Sequence, residues 1–188
     1  MADMLAEVGD LSSLLQEDID PDVEALLLEL ATSEVQSAAG QRLLRVEDDP
    51  FELLGTTESW LDLPERPVVS VDSVEVDGEE VTDWQRHGSR LFRAGGWSSR
   101  IYEPSTVSGV YTHGYADGDP GLAFARKQTL GLAAFLWANP TGATGLSIDD
   151  YREQYSQASD GTGSVLPRPA QRALRRRYGR RTGLVRVG

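Results

Sequence analysis

The chain holds two imidazoles, His87 beside a glycine turn and His113 within Tyr111-Thr112-His113-Gly114-Tyr115. Either could act as a general base or a metal ligand if a carboxylate, a hydroxyl or a second imidazole stood at the right spacing. Neither has a serine nucleophile in an elbow sequence nearby, nor a ligand one helical turn away. Both read as structural histidines at strand ends. The carboxylate pairs Asp48-Asp49 and Asp149-Asp150 sit among turn residues, where solvated surface is the default. Asp117-Gly118-Asp119 begins the alternation of oxygen ligands used by a Ca²⁺ loop but does not complete it. The glycines are scattered over turns rather than gathered into a phosphate-cradling loop. The expectation is a protein with no catalytic residue, no cofactor and no metal.

Denser chemistry lies at the C-terminus. Residues 168–188 carry eight arginines and no acid, whereas residues 1–41 carry ten acids and no lysine or arginine. Net charge is −12, and the chain up to residue 167 is formally −20. That is not the footprint of a DNA-binding domain, which shows a basic face on its folded part. Arg175, Arg176, Arg177, Arg180 and Arg181, with Tyr178 to stack, could contact nucleic acid through its backbone. Alternatively Arg172 and these arginines could meet carboxylates of a protein partner. Leu184, Val185 and Val187 would then add a strand to a sheet edge. A plain solubilising tail is the third reading. The β-alternation of the last residues favours protein docking, since a simple polyanion binder has no use for it.

The elements that must position this tail are legible in outline. Asp10 could cap a short helix, after an N-terminus expected to fray. Asp20 as N-cap and Pro21 at the first position open a clearer helix. In it Val23, Leu26, Leu27, Leu30, Ala31, Val35 and Ala38 share a face, its acidic side reads as solvated surface, and Gly40 stops it. Residues 41–57 read as a connection. The β region is expected over residues 58–116. In it Pro64 and Pro67 stiffen the approach to Val69, Val71, Val74 and Val76, whose alternation slips at Asp72-Ser73 as one extra strand residue would make it. Asp77-Gly78 signals a hairpin. Short strands with turns every few residues argue for an antiparallel sheet or small sandwich.

Asp119 and Pro120 open another helix, expected over 121–139. Its second half, with Leu130, Leu132, Phe135, Leu136 and Trp137, is apolar all round and asks to be covered. Burial against another subunit is one answer, with Gly131 and the alanines allowing close approach; threading the centre of its own bundle is the other. Asp149-Asp150-Tyr151 suits an extended excursion or a short helix. Residues 156–169 read as a linker and 170–178 as one or two basic helical turns. The absence of cysteine removes disulfides and thiolate sites. No apolar run suits a membrane span or a signal peptide.

The fold class expected is α+β: a helical bundle with an inserted small antiparallel β-sheet domain and an extended C-terminal arm. Its parts are 1–57 for the N-terminal helices, 58–116 for the β region, 117–140 for the apolar helix, and 141–188 for linker and arm.

The stretch from Leu63-Pro64-Glu65-Arg66-Pro67-Val68-Val69-Ser70-Val71 through Val74-Glu75-Val76-Asp77-Gly78 resembles head-to-tail adaptor (connector) proteins of long-tailed bacteriophages. So do Val110-Tyr111-Thr112-His113-Gly114-Tyr115, the Pro120 helix opening and Ala170-Gln171-Arg172-Ala173-Leu174-Arg175-Arg176-Arg177-Tyr178, especially among phages of actinobacterial hosts. The resemblance covers most of the chain from about residue 20. It implies a structural virion protein made in the host cytoplasm and placed in the neck. Twelve copies would form a ring beneath the portal protein, extend its DNA channel and offer a stopper or tail-completion protein a surface. It also implies that Arg172 to Val187 reach the portal. An acidic body suits a channel along which genomic DNA slides without sticking. The loops around Asp77-Gly78 and residues 86–96 are candidate contacts for a neighbour or the next ring. Another neck or tail-completion protein, or a nucleic-acid binder acting through its basic tail, are the alternatives.

Overall fold

A computed structural model describes residues 4–98, 105–139, 145–148, 151–154 and 166–179. The architecture is α+β. Two compact units emerge, one drawn from residues 1–40 and 119–179, the other from 41–118.

Among its described residues the first unit is helical apart from one pair of strands. It contains α1 (Asp10–Leu15), α2 (Pro21–Ala39), a 3-10 turn at Pro120–Leu122 running into α3 (Ala123–Ala138), and α4 (Arg168–Tyr178). The capping chemistry of α2 is as the sequence predicts. Asp20 accepts from the Asp22 and Val23 amides at 2.9 and 3.4 Å, and Gly40 closes the helix in the left-handed region at φ 78°. Asp119 likewise caps its turn by accepting from the Gly121 amide at 2.6 Å.

The buried face of α2 is the expected one only in part, at Ala31, Val35 and Ala38. Leu28, Ala31, Val35, Ala38 and Ala39 are buried together with Glu24 and Thr32, while Val23, Leu26 and Leu30 are 40, 55 and 52% exposed. The departure is Glu24. Its carboxylate accepts from the Gly9 and Leu11 amides at 2.8 Å each, the Ser12 amide at 3.4 Å and the Ser12 hydroxyl at 2.6 Å. It thereby supplies the start of α1 with the acceptor that Asp10 was expected to provide. Burial pushes the Glu24 pKa up, but the Ser12 hydroxyl and the three amides outweigh it and hold the carboxyl below its ordinary value. A glutamate read as solvated surface is therefore a buried anchor between α2 and the start of α1. The segment before α1 is anchored too: Leu5 and Ala6 are buried, and the Leu5 amide donates to Thr32 Oγ1 at 3.1 Å.

Strands β8 (Gly145–Ile148) and β9 (Tyr151–Gln154) pair as an antiparallel hairpin where an extended excursion or a short helix was expected. Asp149 and Asp150 lie outside the described residues.

Among the described residues the second unit holds seven strands. β1 (Val46–Gly55), β3 (Val68–Val76), β4 (Glu79–Glu80) and β7 (Ser105–His113) form an antiparallel sheet in the order β1-β7-β3-β4. β2 (Trp60–Asp62), β5 (Trp84–His87) and β6 (Arg90–Arg93) form a second, ordered β2-β6-β5. Phe51, Val74, Val76, Val107 and Tyr111 from the first share one core with Leu61 and Leu91 from the second, closed by Leu63, Val68 and Trp97. The slip expected at Asp72-Ser73 is real. Val71 faces Tyr111 and Ser73 faces Val110, leaving Asp72 as the extra residue of a bulge. Asp77 and Gly78, at φ 54° and 82°, make the hairpin turn that the sequence signalled.

Residues 41–57 are the clear correction. They are no simple connection but contribute the ten-residue β1. Pro50 and the Asp48-Asp49 pair mask it in sequence, yet β1 is an edge strand, where a proline costs no ladder bond on the open side. Its register shifts between Val46 and Asp49.

Candidate functional site

Folding of the second unit assembles a polar cluster that sequence spacing did not reveal. His113 ends β7 and is fully buried. Its Nε2 lies 3.0 Å from Asp49 Oδ2 on β1 and 3.3 Å from Glu65 Oε2 ahead of β3. The Arg42 guanidinium reaches over both carboxylates, pairing with Asp49 through Nη2 and with Glu65 through Nε at 3.3 Å. Burial alone would lower the Arg42 pKa; the charges of Glu65 and Asp49 reverse this and hold it above the ordinary value. Beside them the Tyr111 hydroxyl is pushed up to about 12, by burial first and then by the Glu65 and Asp49 charges. Asp49 thus leaves the solvated surface to which its turn-like context assigned it.

Asp49, Glu65 and His113 bring their ligand atoms within 4.8 Å of one another, close enough to hold a metal ion. Arg42 already supplies these carboxylates with a cation, and a second one would have to displace it. As a base, His113 is equally enclosed: Nδ1 is buried without a partner and Nε2 is taken up by the carboxylates. The cluster fastens residue 42, β1, the approach to β3 and β7 to one another. Its geometry suits a latch better than a reaction centre.

The arginine-rich segment forms three turns of helix rather than one or two. On α4, Leu174 and Tyr178 are buried, and the Tyr178 hydroxyl donates to the Gly121 carbonyl at 2.7 Å. Arg175 Nε donates to the Ala38 carbonyl at 3.3 Å, and the Arg177 guanidinium sits 5.8 Å from the Phe124 ring centroid. Tyr178, expected to meet a partner, is instead an internal anchor: its ring has apolar area to bury and a carbonyl within reach of its hydroxyl. α4 is therefore held in the helical unit rather than extended from it. Arg172, Arg175, Arg176 and Arg177 remain exposed. Arg168, Gln171, Arg172 and Arg175 line an open cleft. Arg180, Arg181, Leu184, Val185 and Val187 lie outside the described residues.

Of the five apolar residues on α3 expected at a subunit interface, Leu132 is buried within its own unit. Leu130, Phe135 and Leu136 are half-buried, and Trp137 is 37% exposed with its Nε1 donating to Glu17 at 2.8 Å. Gly131 faces open space. On the small sheet, Trp60 carries the Arg90 guanidinium 4.9 Å from its ring centroid and packs with Phe92 and His87. No described helix is long and apolar enough to cross a membrane.

No protein-family model matches the chain, and no curated protein matches it significantly. Solved structures do. A chain from the neck of an empty GTA (phage-like gene transfer agent) particle, computed with C6 symmetry, superposes with a TM-score of 0.54 at 16% identity. That superposition covers 91% of this chain and 89% of the other. The likeness is one of fold. A chain from the neck of a native GTA particle, computed with C12 symmetry, gives 0.44 at 16% identity over 93% and 94% of the two chains, a score below that of a shared fold. The chain thus shares its fold with that chain of the empty particle's neck, which is a GTA chain and not an actinophage adaptor.

Proposed function

We propose that this chain is a structural protein of a head–tail neck, a ring-forming adaptor that docks beneath a portal protein and extends its DNA channel. The observation that carries the reading is the fold shared with a GTA neck chain over about nine-tenths of both chains. A neck computed with C6 symmetry suits a ring whose copy number is a multiple of six, twelve included. The half-buried Leu130, Phe135 and Leu136 and the exposed Trp137 support a subunit interface on α3.

Portal attachment is assigned to the segment beyond α4. Arg180 and Arg181 supply forks for carboxylates, and Leu184, Val185 and Val187 supply a strand for a sheet edge. The Trp60, Phe92 and Arg90 patch offers a stopper or tail-completion protein an aromatic anchor. An acidic body lets genomic DNA pass without non-specific retention. The role is structural and the chain catalyses nothing; the enclosure of His113 by Arg42, Asp49 and Glu65 supports this.

The test is a chain ended after Gly179, added to portal-bearing heads and imaged in the assembled neck. Full-length protein is expected in the ring touching the portal, and the shortened chain is expected to fold and stay unattached. Full-length chain found at the tail-tube end, or undiminished attachment of the shortened one, overturns the proposal.

A further inference from the structure

We propose that the basic helix α4 of one copy seats on the N-terminal half of α2 of the next, a head-to-tail contact that builds the ring. It rests on the adaptor reading and names the surfaces that make the ring. Val23, Leu26 and Leu30 form an exposed apolar stripe. At 100° per residue, Asp22 and Glu29 border it on one side, and both are exposed. No lysine or arginine occurs in the first 41 residues, so nothing nearby in the sequence offsets these acids. On α4, Arg168, Arg172, Arg175 and Arg176 recur at spacings of four, three and one and share one face. With Gln171, three of them line the open cleft.

The two surfaces are complementary but belong to opposite ends of α2. α4 is fastened near Ala38 through Arg175, and Leu26 lies twelve residues back, about 18 Å along the axis. A copy's own α4 leaves the stripe uncovered. A second copy can cover it. Arginine stems are apolar and can lie over Leu26 and Leu30 while their guanidinium forks reach Asp22 and Glu29. A contact that uses a different patch on each partner is heterologous, and such contacts repeated with a closing rotation make a ring.

The test uses two full-length variants, Arg172→Glu/Arg176→Glu and Asp22→Arg/Glu29→Arg. Neither touches a residue that holds the helical unit together, and circular dichroism confirms that each is folded. Sedimentation velocity of the free chain and copies per neck in particles are the readouts. Each variant alone is expected to self-associate at least about tenfold more weakly than wild type. Mixed in equal amounts they are expected to recover assembly as alternating rings, because wild-type contacts then alternate with charge-swapped ones. Failure of the mixture to recover, unchanged assembly of either variant, or a wild type that self-associates in neither setting overturns the contact. So does loss of duplex-DNA binding by the arginine variant with assembly intact, which would reassign α4 to nucleic acid. Recovery in the mixture by a chain located away from the neck would leave the contact standing and remove the adaptor reading; the reverse result would separate them the other way.

Discussion

His113 Nε2 stands 3.0 Å from Asp49 Oδ2 across 64 residues of sequence, and the Arg42 guanidinium closes over the same oxygen. The edge strand β1 is therefore fastened to β7 by this side-chain contact as well as by its ladder. Partial burial makes the arrangement sensitive to loss of one member, because the remaining charges keep their desolvation cost without the compensating cation.

Arg42→Met keeps the side-chain stem and deletes the cation. Asp49 and Glu65 would then face His113 with no guanidinium between them. A loss of about 1–3 kcal/mol is expected in chemical denaturation of the full chain. A double-mutant cycle with Asp49→Asn should show coupling between the two positions. Additive effects would remove the latch.

Glu24→Gln should destabilise the chain by about 1–2 kcal/mol at neutral pH, since the three amide bonds to Oε1 become neutral and the Ser12 hydroxyl must turn from donor to acceptor toward the new NH2 group. The sign with pH follows from a folded pKa below the ordinary 4.5. The unfolded chain takes up the proton first on acidification, so the contribution is whole above 4.5 and fades as pH falls through the lower folded value. Wild-type stability should fall over that range more steeply than that of the variant. Equal slopes would contradict the buried role of Glu24.

Tyr111 carries the opposite case. Its folded pKa, about 12, lies above the ordinary 10.0, so its hydroxyl stays protonated in the folded chain after the unfolded chain has lost the proton. Stability is then retained below pH 10.0 and lost as pH rises toward 12. Tyr111→Phe should unfold less readily in alkali relative to its own neutral stability. Ultraviolet titration of the wild type should show one tyrosine ionising late, and its absence would refute the assignment.

Gly109 sits on the inner strand β7 opposite Phe51. A Cβ there would meet the Phe51 ring at 2.8 Å and the Ser73 carbonyl oxygen closer still. Gly109→Ala should cost about 1–3 kcal/mol by overpacking, read as a lowered melting temperature. Pairing it with Phe51→Leu should relieve part of the loss.

Much of the fold is legible in sequence where a local rule is strict. Asp20-Pro21 and Asp119-Pro120 start their segments because a carboxylate must meet orphan amides and proline lacks one. Asp77-Gly78 turns the chain because both residues tolerate positive φ. The slip at Asp72-Ser73 is visible because strand side chains alternate with a period of two. Strand β1 escaped because Pro50 forbids a central strand without forbidding an edge, and edge position is a tertiary property.

The sequence by itself determined the charge asymmetry, the α+β class, most of the caps and turns, and the arginine-rich end of the chain. These follow from residue type and neighbours a few positions away. Tertiary structure decided which face of α2 turns inward, since Ala31, Val35 and Ala38 suit either choice and Glu24 lies inward to meet α1. It also decided that Tyr178 anchors α4 and that His113 meets Asp49, Glu65 and Arg42. Contacts across 57, 64 and 71 residues leave no periodic trace, because a side chain's partner is set by where the backbone returns and not by its spacing along the chain.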